Sequence, residues 1–260
     1  ENQEGKFYVW DKDEIKKIID SEDFNIIEKY YGLNEETNFE NRWHLTISND
    51  TENIAKDSKF EKEKIEDIVK KCDKVLLKER KLRTPPSLDK KQLASWNALV
   101  IKGLAVSGRV LDRKDYIQSA RESLEFIEKN QFEKNTLMAC YINKMSKFPA
   151  YLDDHAFLLD AILEFLQSEW DTKLLHFAIK LADTLIDNFL DEEKGGFFFT
   201  RNNHEKLIFR SKPMSDDAMP SGNGIACFTL QRLGFLVGDK KYLLASKKTL
   251  KGGFSLLKES

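Results

Sequence analysis

The sequence predicts a mainly α-helical protein whose helical hairpins lie side by side as an α/α toroid. The chain of 260 residues contains only 12 Gly and 5 Pro, which leaves long uninterrupted stretches for helices. In its second part, three extended polar loops each lead into an apolar helix, which a short aspartate-containing link joins to a more amphipathic helix. Helices that are apolar on nearly all sides must be internal, so we expect an inner layer covered by the amphipathic partners.

Residues 1–83 are expected to form the start of the toroid, with a short strand and outer helices. Residues 5–10 alternate enough for the strand, and helical patterns follow over residues 11–19 and 23–30. A longer amphipathic helix is predicted over residues 61–80, because Ile65, Ile68, Val69, Cys72, Val75 and Leu76 recur at helical spacing.

Residues 84–260 are expected to contain three α-hairpins, and the whole chain to form one domain. Inner helices are predicted near residues 91–107, 153–168 and 224–237, with outer partners at residues 116–130, 171–190 and after the turn at residues 238–242. The segment before the second inner helix is predicted to be a long loop. A glycine pair and two short apolar runs predict a small β-hairpin near residues 196–210.

Composition excludes several classes of function. With 42 Lys+Arg against 44 Asp+Glu, the net charge of −2 gives no reason to expect a nucleic-acid partner. No apolar run is long enough for a membrane helix, and the first residues do not have the pattern of a secretory signal. The three cysteines are far apart and form no CxxC pair, which favours reduced thiols and a cytoplasmic location.

No motif in the sequence requires a metal or a cofactor. The histidines show no ligand spacing, and the signatures of metalloproteases, serine hydrolases and nucleotide-binding loops are missing from the sequence. We therefore expect neither a metal nor a cofactor.

The candidate functional residues lie where the inner helices begin. Inner helices of a toroid run in parallel, so their N-terminal ends converge, and their dipoles favour anionic or hydroxyl-rich ligands. Paired carboxylates beside aromatic platforms suit sugar recognition and acid–base chemistry at a glycosidic or anomeric centre. The candidates are Asp89, Trp96 and Asn97 at the first entrance, Asp153, Asp154 and His155 at the second, and Asp216, Asp217, Ser221 and Asn223 at the third, with Arg210 on the predicted β-hairpin.

Structural interpretations of these residues stay open at this point. Asp153 and Ser221 also suit helix N-caps, and Asp154 suits a first-turn charge on the helix dipole. Trp96 suits the core of the toroid, and Arg210 suits a solvated strand edge.

Several segments also resemble a known family. EGKFYVW, YGLNEETNFE, LLKERKLRTPPSLDKKQLASWNALVIKGLA, PAYLDDHAFLLDAILEF, GGFFFT and DDAMPSGNGIA occur in the order typical of the spermatogenesis-associated protein 20 family. The resemblance covers essentially the whole chain. It implies a partial (α/α)6 toroid of the six-hairpin glycosidase-like type, preceded in the full-length protein by a thioredoxin-like domain and followed by further toroid helices.

The resemblance and the candidate residues together suggest a toroid that binds a carbohydrate or a similar polyhydroxylated ligand. In an epimerase-, isomerase- or glycosidase-like enzyme, Asp154, His155 and Asp217 would be catalytic, with Asp154 as the general acid or base. Asp89, Trp96, Asn97, Asp153, Arg210, Ser221 and Asn223 would bind the ligand. The alternative is a non-catalytic binding or scaffold domain attached to the thioredoxin-like domain. Lys90 and Met219, which stand where the family usually has acids, favour that alternative.

An incomplete ring would also expose apolar inner-helix surface, so we expect self-association or an open, crescent-like structure.

Overall fold

The computed structural model describes residues 3–205 and 207–259. It contains two compact units, Glu1–Asp89 and Lys90–Ser260. Their boundary lies a few residues after the predicted boundary at residue 83, and the expectation that the chain forms one domain stays a prediction.

The first unit contains a two-stranded sheet and four helices. Strands β1 (Val9–Trp10) and β2 (Trp43–His44) pair antiparallel. The helices are α1 (Lys12–Ile18), α2 (Ser21–Tyr30), α3 (Thr51–Lys56) and α4 (Lys62–Arg80). The predicted apolar face of α4 is confirmed apart from its edge residue Val75, because Ile65, Ile68, Val69, Cys72 and Leu76 are buried.

The second unit is built from helical hairpins, as the sequence predicts. Helices α5 (Ala94–Val110) and α6 (Lys114–Asn130) form the first hairpin, and α7 (Leu152–Phe165) and α8 (Thr172–Phe189) the second. Helices α9 (Gly222–Val237) and α10 (Lys240–Glu259) form the third. The inner helices α5, α7 and α9 lie side by side in that order, with α7 in the middle.

The three inner helices run in parallel. The backbone N–H of Ser95, at the start of α5, donates to Asp154 at the start of α7 over 2.9 Å. Towards the other ends of the helices, Glu164 of α7 forms ion pairs with Arg109 of α5 over 3.1 Å and with Arg232 of α9 over 2.8 Å. Helix α7 is buried on almost all sides, because α5 and α9 flank it and α8 covers it.

The predicted long loop before α7 is wrong, because residues 132–149 form an antiparallel meander. Strand β5 (Thr136–Ile142) pairs with β4 (Phe132–Glu133), with β6 (Met145–Pro149) and with β3 (Gln92–Leu93). Residues 134–135 and 143–144 form its two-residue turns, and all four have positive φ. This is the geometry of a type I′ turn, which an asparagine tolerates well.

The β-hairpin predicted near residues 196–210 is also wrong, since no strand forms among the described residues of that segment. Gly195 and Gly196 have φ angles of 75° and 77°, which are outside the β region. The side-chain amide of Asn223 hydrogen-bonds both the N–H and the carbonyl of Phe197. Among the described residues the two arms share one backbone bond, from Phe199 to Ser211, while Phe197 forms an isolated antiparallel bridge with Leu190 at the end of α8.

Candidate functional site

The N-terminal ends of α5, α7 and α9 meet around an aspartate pair. Asp154 contacts the start of α5 through the N–H of Ser95. Asp153 contacts the start of α9, because its Oδ1 atom lies 2.1 Å from the point where a β-carbon on Gly222 would stand. The two consecutive carboxyl groups therefore bridge the beginnings of all three inner helices.

Asp153 is the carboxyl group of this pair with unused hydrogen-bonding capacity. Its Oδ1 atom is buried and has no hydrogen-bond partner among the described residues. Burial, and secondly the charge of Asp154, raise the pKa of Asp153 to about 6. A carboxyl group with such a pKa is partly protonated near neutral pH and can both donate and accept a proton.

Asp154 uses both of its oxygens to hold the backbone. Oδ1 accepts from the N–H of Ser95 and Oδ2 from the N–H of Tyr151, each over 2.9 Å. Burial raises the pKa of Asp154, although the hydrogen bonds from Tyr151 and Ser95 act in the opposite direction. The side chain is buried and caps α7 while fixing the start of α5.

His155 faces away from this entrance. It follows Asp153 by two residues, so the two side chains leave nearly opposite sides of α7. Its ring is 1% exposed and packs against Phe189, with the ring centres 5.1 Å apart. Nδ1 lies 2.9 Å from the carbonyl of Tyr151, which can only accept, so Nδ1 carries the hydrogen. Burial, helped by the charge of Arg201, lowers the pKa of His155 to about 4.

The candidates at the third entrance mainly position the backbone. Ser221 is the N-cap of α9, where its side chain accepts from the N–H of Gly224, and its own N–H donates to Asp216 over 2.8 Å. The buried amide of Asn223 accepts from the N–H of Phe197 and donates to the carbonyls of Phe197 and Pro213. Asn223 thus ties the loop before α9 to the loop after α8.

The candidates at the first entrance differ in exposure. Trp96, in the first turn of α5, is 60% exposed, which excludes the interpretation as a core residue and leaves its ring accessible. Asn97 donates to the carbonyl of Leu93 over 2.8 Å. Asp89 is an exposed residue at the end of the first unit, so its part in this site stays a prediction.

Arg210 and Asp217 lie in the loops before α9. The guanidinium of Arg210 donates to the carbonyl of Thr200 over 2.6 Å and stacks 4.1 Å from the ring centre of Phe198. Asp217 is exposed, and its carboxylate makes neither a hydrogen bond nor an ion pair with the described residues.

Sequence reasoning missed a ladder of charges deeper along the inner helices. Asp160, buried on α7, pairs with Lys102 of α5 over 2.6 Å and with Arg232 of α9 over 3.2 Å. One turn further, Glu164 pairs with Arg232. Asp153, Asp160 and Glu164 follow one face of α7, so the ladder continues along the side that carries Asp153. A lone aspartate inside the apolar run of α7 was the signal for it.

The described residues offer neither a metal site nor a membrane-spanning helix. No group of three or more His, Cys, Asp or Glu side chains in this part of the chain could hold a metal ion. Within the same residues, no helix is both long and apolar enough to cross a membrane.

Comparison with known proteins supports the family resemblance. The human spermatogenesis-associated protein 20 is 27% identical over 271 residues, which cover 93% of this chain and 34% of the human protein. The predicted resemblance to this family is confirmed. The chain spans about a third of the length of spermatogenesis-associated protein 20, and no family model matches it.

Solved structures support the fold. A sugar epimerase from a ruminal bacterium superposes with a TM-score of 0.52 at 14% identity, over 64% of this chain and 45% of the epimerase. An alpha-1,6-mannanase of a Salegentibacter species superposes with a TM-score of 0.51 at 14% identity, over 72% of this chain and 54% of the mannanase. That mannanase is an inactive variant with two consecutive aspartates replaced, in complex with alpha-1,6-mannotetrose. The predicted mainly helical, partial (α/α)6 toroid is confirmed.

Proposed function

We propose that the second unit binds a carbohydrate at the N-terminal ends of α5, α7 and α9, and that Asp153 transfers a proton there. The observation that carries this proposal is the buried, unpartnered Oδ1 of Asp153 at the point where the inner helices meet. The raised pKa of that carboxyl suits proton transfer near neutral pH.

The proposal exchanges the roles expected for the two aspartates. Both oxygens of Asp154 accept backbone N–H groups, so this residue positions the entrance, and Asp153 replaces it as the general acid or base. His155 has no place in the reaction, because it lies buried on the other side of α7. Trp96 supplies an exposed ring on which a sugar can stack.

The structural neighbours make a sugar the first ligand to test. Their names give a sugar epimerase, a cellobiose 2-epimerase and an alpha-1,6-mannanase. The mannanase variant is inactive with two consecutive aspartates replaced, and Asp153 and Asp154 are consecutive aspartates in the first turn of α7. At such low sequence identity the likeness supports the ligand class and leaves the reaction open.

The alternative is a non-catalytic binding or scaffold domain attached to a thioredoxin-like domain. The side chains of Asp154, Ser221 and Asn223 all hydrogen-bond backbone groups, which is what a purely structural entrance requires. In that case the unit binds its ligand without turning it over.

Calorimetric titration with cellobiose and alpha-1,6-mannotetrose, followed by product analysis, tests the proposal. We expect the wild type to bind one of these sugars, the Trp96→Ala variant to bind it more weakly, and Asp153→Asn to bind without product. Binding without turnover by the wild type would favour the non-catalytic alternative. If no sugar binds and both variants match the wild type, the carbohydrate site is wrong.

The predicted self-association is also kept as a proposal, with a second copy as the occupant. Phe228 and Phe235 on α9 and Leu250 and Phe254 on α10 are exposed at helical spacing. Together they expose roughly 400 Å² of apolar surface. A standard interface of about 800 Å² per partner, just over half of it apolar, requires a similar amount. We propose that two copies pair through this flank of the third hairpin.

A further inference from the structure

Four buried polar atoms without partners belong to His155 and to the loop that packs on the start of α7. They are Nε2 of His155, Oγ1 of Thr200, Nε of Arg201 and Nδ1 of His204, and none has a hydrogen-bond partner among the described residues. Buried polar groups are nearly always hydrogen-bonded, to protein, water or a ligand. Four such atoms on neighbouring residues therefore lack a partner that a bound group can supply.

Well-defined contacts hold these four residues around Tyr151. The carbonyl of Phe199 accepts from the N–H of Leu152 over 3.0 Å, which fixes the loop against the start of α7. The ring of Tyr151 stacks on Phe199, with centres 5.0 Å apart, and its centre lies 6.2 Å from that of His204. The carbonyl of Tyr151 orients His155, whose titration Arg201 influences directly.

The cluster needs a partner that both accepts and donates hydrogen bonds. Nε of Arg201 can only donate. Nε2 of His155 can only accept, because the hydrogen sits on Nδ1 and the buried ring is neutral at physiological pH. The hydroxyl of Thr200 can do either. His155 and Thr200 are 1% and 6% exposed, so bulk water does not reach Nε2 of His155 or Oγ1 of Thr200.

The cluster also lacks a negative charge. Arg201 is half-buried, burial lowers its pKa, and it forms no ion pair with a described carboxylate. A partly desolvated guanidinium without a counter-ion is a good partner for an oxyanion.

We infer that Arg201, Thr200, His155 and His204 form a binding site for a phosphate group that carries a proton. The P–OH group donates to Nε2 of His155, and the charged oxygens accept from Arg201 and Thr200. Inorganic hydrogen phosphate and a singly protonated phosphate monoester share this chemistry. Sulfate does not, because it has no proton to donate at neutral pH. A water molecule offers the right hydrogen bonds but no charge to offset Arg201.

This inference does not rest on the proposed sugar site. Asp153 and His155 lie on nearly opposite sides of α7, and the cluster reaches solvent past the half-buried Arg201 and His204. Loss of one site therefore leaves the other testable.

Calorimetric titrations at constant ionic strength with inorganic phosphate, glucose 6-phosphate and sulfate test the inference. We expect phosphate or glucose 6-phosphate to bind the wild type at least about tenfold more tightly than sulfate, since one hydrogen bond to His155 is lost with sulfate. Arg201→Gln should weaken binding by at least about tenfold. Arg113→Gln is the matched control, because it removes the same charge from an exposed pair with Asp115 on α6.

Each binding result either supports or overturns the phosphate site. Binding of glucose 6-phosphate alone identifies a sugar phosphate as the source of the group, and binding of both supports the site with either source. Equal binding of sulfate and phosphate, or no binding of either ion or of the ester, overturns it. If circular dichroism shows that Arg201→Gln does not fold, the phosphate affinity of Thr200→Val is measured in its place, because valine keeps the shape of the threonine side chain. Unchanged phosphate affinity in a folded variant also overturns the inference.

Discussion

The Oδ1 atom of Asp153 occupies the space beside Gly222 that a β-carbon would need, only 2.1 Å from its position. Glycine at the first position of α9 thus lets a carboxyl group from α7 reach the start of the neighbouring inner helix. The contact buries the carboxyl, and burial is the main cause of its raised pKa. The missing side chain of Gly222 therefore contributes to the raised pKa of Asp153.

Replacing Gly222 with alanine should displace the Asp153 carboxyl or push α9 away. We expect the Gly222→Ala variant to lose about 1–3 kcal/mol of unfolding free energy in urea, the usual cost of overpacking. Its affinity for the sugar should fall as well. Gly224→Ala is the control in the same helical turn, since its nearest atom would lie at an ordinary 3.8 Å. Equal stability of the two variants would contradict this account of the contact.

Replacing Asp153 with asparagine should change how stability depends on pH. The folded-state pKa of about 6 lies above the ordinary 3.8, so the folded wild type binds more protons than the unfolded chain between those values. Wild-type stability from this group is therefore present at low pH and lost as pH rises through about 6.

Asp153→Asn lacks that loss, so it should be more stable than the wild type at pH 7.5 and about equally stable near pH 4. Thermal unfolding across this range checks the difference. The opposite contribution of His155, whose folded-state pKa is lowered, is common to both proteins and cancels. A constant difference across the range would show that Asp153 titrates normally.

Removing Asp160 should be among the costly substitutions in the second unit. Asp160→Ala leaves Lys102 and Arg232 without this partner in a half-buried place. We expect a loss of about 1–3 kcal/mol, because both cations are partly exposed and Arg232 keeps its pair with Glu164. Asp115→Ala, which breaks an exposed pair with Arg113, should cost much less. Urea unfolding of both variants tests this, and a small loss for Asp160→Ala would mean that the ladder does not tie the inner helices together.

Charge on the open flank of the third hairpin should prevent self-association. The Phe235→Glu variant places a carboxylate in the exposed apolar stripe and should be monomeric by sedimentation under conditions where the wild type dimerises. Leu111→Glu, at the exposed end of α5 away from this stripe, is the control and should dimerise. A wild type that stays monomeric at high concentration would refute pairing through this flank.

The helical frame could be predicted because its signal is long and periodic. The unbroken apolar run of α7 requires an internal helix, and the amphipathic α8 covers it, as the structure confirms. The meander before α7 could have been found from Asn135 and Asn143, which mark two-residue turns. Its short strands were hidden because loops and strands of this length have similar composition.

The roles of the two aspartates could not be predicted from the sequence. Both stand in the first turn of α7, where either suits a cap or a catalytic acid. The difference arises from tertiary neighbours, because Ser95 donates its N–H to Asp154 while Gly222 makes room for Asp153. The hairpin expected near residues 196–210 failed for a similar reason, since the side chain of Asn223 takes the backbone groups that a partner strand would need.

The central claim is that Asp153 is the proton-transferring group of a sugar site, and its carboxyl titration tests this most directly. The measurement is a pH titration of the side-chain carboxyl carbons by NMR, with and without the sugar that binds most tightly, with Asp153→Asn to assign the signal. The account predicts a carboxyl that titrates near pH 6 and shifts when the sugar is added. A carboxyl that titrates near its ordinary 3.8 and does not respond to any sugar would contradict it.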